Sequence, residues 1–218
     1  MPKPPKTPVI DPSLTTAALD EIGPDPSLEW VATEFRGDGS NREMSQIDLA
    51  GCRFVGAILT ASKFVESRIV DTEFIDCEMS GIDFSDASLT RVRFVRCRVS
   101  AADLSATRLT DIQFQQCKLD DVNVRMANLA RVELVESTLH DADFVGVSGS
   151  DVAMYDCDLT RATFTKTKFT ALALHGSILD GLIGAAALTS AVIDSNQTLP
   201  FAMALLAGHG VRVNDDRA

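Results

Sequence analysis

Long apolar runs are missing from this 218-residue sequence. The longest, roughly Leu199 to Ala207, falls far short of the ~20 residues that a membrane-crossing helix needs. The first residues, Met1-Pro2-Lys3-Pro4-Pro5-Lys6, lack the apolar centre of a secretion signal. Both absences lead to the expectation of a cytoplasmic protein with no membrane attachment. Basic residues are scarce as well. Against 20 lysines and arginines stand 31 aspartates and glutamates, a formal net charge of -11. Direct nucleic-acid binding is therefore not expected, because affinity for phosphate needs a basic excess. An acidic chain suits a basic partner instead, including one that ordinarily holds DNA. Five cysteines, an odd number, fit a reducing compartment.

Signatures of catalysis are lacking too. The three histidines, His140, His175 and His209, are scattered. No nucleophile has a base at a recognisable spacing, and there is no phosphate-binding glycine loop and no metal-ligand spacing. The sequence reads as non-enzymatic, without cofactor or metal.

What the sequence has in quantity is a repeat of five. Steps of five from Met44 to Leu179 visit 28 positions, of which 27 are large and apolar and the remaining one is Gly149. Nine of the eleven phenylalanines lie in this register. A second register runs two residues earlier, where 23 of 28 positions are Ala, Cys, Ser, Thr or Val and all five cysteines occur. A period of five matches neither a helix nor a long strand. One large and one small inward residue, two apart, describe a short extended segment followed by a corner. Four such sides make a coil of 20 residues, and 28 repeats make seven coils. At the strand spacing of ~4.8 Å they stack into a rod of roughly 34 Å.

Ala102-Asp103-Leu104, Ala127-Asn128-Leu129 and Ala142-Asp143-Phe144 carry the local pattern, and Ala87-Ser88-Leu89 departs from it only at its middle residue. These triplets, in unbroken register over about 140 of 218 residues, resemble the pentapeptide-repeat family, whose pattern is approximately Ala-(Asp/Asn)-Leu-x-x. The resemblance implies an all-β, right-handed quadrilateral β-helix. The expected organisation is a tail and capping arm over 1–41, the β-helix over 42–183, and a C-terminal cap with a possible dimerisation segment over 184–218.

Read at the 20-residue period, the sequence gives vertical columns. Cys77, Cys97, Cys117, Ser137 and Cys157 form one of small inward residues. With no histidine or acid in it, they read as packing residues. Asp71, Arg91, Asp111, Arg131 and Asp151 alternate in sign, which favours pairing between neighbouring coils. Glu66, Asp83, Asp86, Asp103, Asp121, Asp141 and Asp143 are placed on one face or its leading corner as a candidate partner-binding surface. Turn chemistry at the corners accounts for some of these aspartates. Arg91, Arg93, Arg96 and Arg98 form a basic belt. At Gly149, with Gly146 nearby, a kink or small void is expected.

Outside the repeats, Met1 to Pro8 reads as a disordered proline-rich tail. Val9 to Ile22 reads as a short helix or irregular arm, broken by Gly23-Pro24-Asp25-Pro26. Trp30 to Phe35 reads as a capping strand. A short helix is expected near Gln197 to Ala207, stopped by Gly208 and Gly210, with Val211-Arg212-Val213 as a closing strand. That helix has almost no polar face, so one side can close the rod while another meets a second chain. Phe201, Met203 and Leu206 are the candidate contacts of a homodimer.

The best understood bacterial members of the family resemble B-DNA in width and charge. They occupy the DNA-binding saddle of DNA gyrase or topoisomerase IV and protect it from quinolones or related poisons. This chain resembles them in its all-repeat rod, its acidity and its apolar C-terminal segment. The resemblance implies a DNA mimic that binds a type II topoisomerase. The alternative is a rigid scaffold for another protein partner. Residues 42–183 hold 21 acidic and 15 basic side chains, whereas ~34 Å of duplex carries about 20 negative charges.

Overall fold

Each pentapeptide turns through a residue in the left-handed region. Every fifth residue from Gln46 to Lys166 has φ between +49° and +75°, and 21 of those 25 corners are not glycine. The corner N–H then donates to a carbonyl of the next coil, as in Arg96 to Gln115 at 2.9 Å and Asp121 to His140 at 2.8 Å. These corners make the square section. The computed structural model describes residues 1–21 and 29–211.

The strands, in chain order, are β1 (Thr15–Ala18), β2 (Glu29–Val31), β3 (Thr33–Arg36), β4 (Asp48–Ala50), β5 (Arg53–Val55), β6 (Arg68–Ile75), β7 (Ser88–Val95), β8 (Arg108–Gln115), β9 (Asn128–Val135), β10 (Ser148–Tyr155), β11 (Lys168–Phe169), β12 (Leu172–Ala173) and β13 (Ala191–Val192). All pairings are parallel, and one path runs β1-β3-β5-β6-β7-β8-β9-β10-β12-β13. From β6 to β10 the register is 20 residues, as in Leu89 to Leu109 and Phe94 to Phe114. The chain thus forms a right-handed quadrilateral β-helix of about nine turns with a short C-terminal helix.

Faces I and II are the two halves of each long strand, meeting at Asp71, Arg91, Asp111, Arg131 and Asp151. Face III carries the bridges Ile58-Glu78-Arg98-Lys118-Thr138-Asp158-Ile178, and face IV the bridges Glu43-Lys63-Asp83-Asp103-Asn123-Asp143-Thr163-Ile183. Inside, the large register is buried throughout. On face II, Phe35, Phe54, Phe74, Phe94 and Phe114 stack with ring centroids 4.5–4.9 Å apart. Such contact adds to the burial of each ring.

Several expectations need correction. The parallel ladder extends past both ends of the seven coils read from sequence. Trp30 pairs with Leu49 and Phe35 with Phe54, so these residues form a coil one residue shorter than the rest. Val9 to Ile22 is not helical over its described part. Thr15–Ala18 is a strand paired with Thr33–Arg36, followed by a 3-10 turn that drives Leu19 fully inside. Burial of Leu19 over the first coil outweighs the helix propensity of the alanines. Gly23-Pro24-Asp25-Pro26 lies outside the described residues, as do Arg212 and Val213. Gly149 causes no kink: β10 runs through it, and a Cβ there would meet Phe169 at 2.4 Å. The ring of the next coil fills the space.

The C-terminal end is closed by a polar clamp that the sequence reading overlooked. Gln197, buried, donates to the carbonyls of Leu174 and Ser177, both at 2.6 Å. Asp194 accepts from the Gly176 N–H and pairs with His175. Helix α1 (Thr198–Gly208) follows, with Ala204 buried and Phe201 and Leu205 packed on the rod.

The register predicts two unequal substitutions. Leu109→Asp puts an unpaired charge in the dry interior, at a cost on the order of several kcal/mol, and the rod should unfold. Cys97→Ala should cost only about 1 kcal/mol. Thermal melts by circular dichroism check both; a wild-type midpoint for Leu109→Asp overturns the register.

Candidate protein-binding face

The residues of the acidic face come together around face IV, though not all where the sequence placed them. Asp83, Asp103 and Asp143 stand on the face in register with one another. Asp121 and Asp141 occupy the corner before it, while Glu66 and Asp86 occupy the corner after it rather than the leading one. The turn chemistry is visible: Asp83, Asp103 and Asp143 each accept from the N–H two residues on, at 2.8–2.9 Å. Only one carboxylate oxygen is used this way, so the charge stays available.

Neutralisation divides the group. Arg161 forks onto Asp141, and the Arg125 guanidinium lies 2.8 Å from Asp143. Among the described residues Glu66, Asp83, Asp86, Asp103 and Asp121 have no ion-pair partner; Glu66 takes an amide from Gln46, and Asp103 one from Asn123. Asp83 and Asp103 are direct neighbours in adjacent coils. Like charges so placed destabilise a sheet; Lys63 beside Asp83 and the Asn123 amide at Asp103 offset this in part.

Several other columns are compensated. Arg91 holds Asp71 through two bonds of 2.6 Å, and Arg131 holds Asp111 at 2.6 and 2.8 Å. Arg96 forks onto Asp76 at 2.7 and 2.8 Å. Arg98 lies 3.8 Å from Glu78, and Arg93 lies 3.9 Å from Glu73. Each arginine of the basic belt therefore sits over an acid 20 residues earlier, and the belt is not a free positive surface. The Arg131 guanidinium holds the Asp111 carboxyl below its ordinary value, although partial burial opposes it.

The cysteines are all free and buried. Their thiols donate to strand carbonyls, as Cys97 does to Phe74 at 3.3 Å. The Cys117 thiol beside it and burial push Cys97 up to about 12, and burial pushes Cys157 up to about 11. Thiols so held are poor nucleophiles. Among the described residues no three His, Cys, Asp or Glu side chains are grouped to hold a metal.

A second acidic group went unnoticed in the sequence. Glu136 and Asp156 share the corner between faces II and III, and Asp120 and Asp158 flank His140 on face III. His140 Nε2 lies 2.8 Å from Asp158. Twenty-residue bookkeeping finds Glu136 over Gln116 and Asp156 over Glu136, a signal hidden when only one face is inspected.

Residues 47–124 and 67–144 match the family model described as a pentapeptide repeat region. The rod is a pentapeptide-repeat β-helix. No curated protein sequence matches the chain significantly. Among solved structures it is similar to HetL from the cyanobacterium Nostoc, a pentapeptide repeat protein involved in regulating heterocyst differentiation. Identity is 24%, coverage 73% of this chain and 71% of that one, and the TM-score 0.67. QnrB1, a plasmid-mediated fluoroquinolone resistance protein, aligns at 19% identity over 92% of this chain and 98% of its own, with a TM-score of 0.45. The likeness to HetL shows a shared fold. No helix among the described residues is long and apolar enough to cross a membrane.

His140 supplies a pH test. The Asp158 carboxylate holds its imidazolium, so its pKa lies above the usual 6.5. Stabilisation by this pair is complete below the unfolded value and disappears as pH rises through the folded value. An NMR titration of the His140 ring should show the raised midpoint, and Asp158→Asn should return it toward that of an exposed imidazole.

Proposed function

We propose that this chain is a non-enzymatic rod that docks through face IV on a basic protein groove that otherwise holds DNA, the saddle of a type II topoisomerase such as DNA gyrase or topoisomerase IV. The observation that carries this reading is the like-charge stack Asp83–Asp103, which has no ion pair among the described residues, with Glu66, Asp86 and Asp121 beside it. An arrangement that costs stability is explained when a cationic partner supplies the missing charge. The rod would compete with DNA for the groove, modulating the enzyme or protecting it from poisons. Pairing of the basic belt removes the repulsion that Arg91 to Arg98 would otherwise offer.

Compensation of the other faces favours a second reading, a rigid scaffold for a different protein, since only a strip of the surface copies the charge of a duplex. Purified gyrase separates the two. Supercoiling should fall as this protein is added, and binding should weaken as salt rises. Asp83→Asn with Asp103→Asn should slow association about tenfold or more, while Asn keeps the turn hydrogen bond. Arg96→Ala should leave binding unchanged or improved. No inhibition, no protection from a gyrase poison and no salt-dependent binding would leave the scaffold reading.

The same proposal includes a homodimer joined through helix α1. Phe201 is packed on its own rod, so the contacts narrow to Met203 and Leu206, with Leu199 still more exposed. Leu199, Met203 and Ala204 line a groove of about 650 Å³ with Leu182 and Ile183. Light scattering should give a dimer, and Met203→Glu with Leu199→Glu a folded monomer. A wild-type monomer at high concentration would discard the dimer.

A further inference from the structure

The N-terminal residues do not extend freely. They run along the corner between faces I and II, opposite in direction to the growth of the coils. The Lys3 N–H donates to Asp151 at 2.9 Å, the Lys6 N–H to Asp111 at 3.0 Å, and the Val9 N–H to Asp71 at 3.0 Å. Between these donors, Pro2, Pro5 and Pro8 are partly buried, whereas Met1, Lys3, Pro4, Lys6, Thr7 and Val9 are exposed. Donors and buried prolines both recur every third residue.

This is the period of a polyproline II helix, which rises ~3.1 Å per residue, or about 9.3 Å per turn. Successive acceptors, Asp71, Asp111 and Asp151, are two coils apart, or ~9.6 Å at the strand spacing. The two repeats match within a few tenths of an ångström per turn. The sequence MPKPPKTPVI suits such a helix, because proline fixes φ and each third residue keeps a free N–H. The alternate rungs of the column are Arg91 and Arg131, whose guanidiniums turn onto Asp71 and Asp111. They hold those carboxylates in place with lone pairs to spare for a backbone donor. Asp151 has no arginine bonded to it and accepts from the strap.

We propose that this carboxylate ladder is a receptor for proline-rich chains in the polyproline II conformation, with proline at every third position and a free N–H after each, and that residues 2–9 are its resident ligand in cis. Recognition is through backbone donors, so any chain with that spacing fits. The ladder lies on the one edge diagonal to the corner of Asp121 and Asp141. It does not border face IV, and the inference stands apart from the DNA-mimic reading.

Two measurements on the full-length chain test it. Trypsin can cut at Lys6–Thr7, and the docked strap shields that bond. Lys3→Pro with Val9→Pro removes two donors, keeps the helix type and leaves the rod untouched. Cleavage there, followed by mass spectrometry, should quicken by about tenfold, the factor for a loss of ~1.4 kcal/mol in docking. The released variant then receives a synthetic peptide of residues 1–10, or one of the same composition with its prolines at other spacings. The first should shift the NMR signals of Asp71, Asp111 and Asp151, and the second should not. Equal cleavage of wild type and variant would overturn the strap. Faster cleavage without binding of the matched peptide, or equal binding of both peptides, would overturn the receptor.

Discussion

Everything in this rod depends on the corner. A residue other than glycine in the left-handed region costs roughly 1–2 kcal/mol, and here such residues recur every fifth position for the length of the rod. No local preference favours that chain. Asp and Asn tolerate the conformation better than most residues, yet Arg91, Arg96, Met126 and Lys166 adopt it too. Hydrogen bonds to the next coil and burial of the large register offset the cost. A corner is therefore stable only when another coil lies beside it, which makes the solenoid cooperative between neighbours.

The corner also fixes where charge can go. Its side chain projects outward directly above or below its counterparts 20 residues away, so charged residues fall into columns with no freedom to avoid one another. Most columns resolve this by alternating sign or by setting an amide against a carboxylate, as Gln116 is set against Glu136 at 2.8 Å. Individual exposed pairs contribute little, but an unresolved column repels itself. The Asp83–Asp103 stack is resolved only in part: Asn123 sets its amide against Asp103 at 3.1 Å, while Lys63, beside Asp83 in the ladder, pairs with Glu43.

The fold was legible because its period is written in the sequence many times over. Twenty-seven large residues in one register leave no alternative architecture that buries them. The ends were less legible, since each is a single event. Leu19 has to be known as a plug before Thr15–Ala18 can be read as a strand. Gln197 lies outside the period and closes the rod through carbonyls that no sequence pattern marks. The acidic residues were all identifiable, but their compensation was not. Arg96 over Asp76 and Arg98 over Glu78 emerge only when every column is read, and Gly149 makes sense only with Phe169 behind it. Met1 to Pro8 read as disordered because a proline-rich segment has no core of its own; its order comes from acceptors as far as 148 residues away.

That separation has a consequence for how the chain assembles. Coils join one after another, each with its neighbour, so the rod grows without waiting for distant residues. The N-terminal strap is different. Although it leaves the ribosome before the coils do, its outermost acceptor belongs to a coil made some 148 residues later. Contacts so far apart in sequence form late. The strap is thus made before the coils yet settles after them, and its docking records that the coils from Asp71 to Asp151 are all in place.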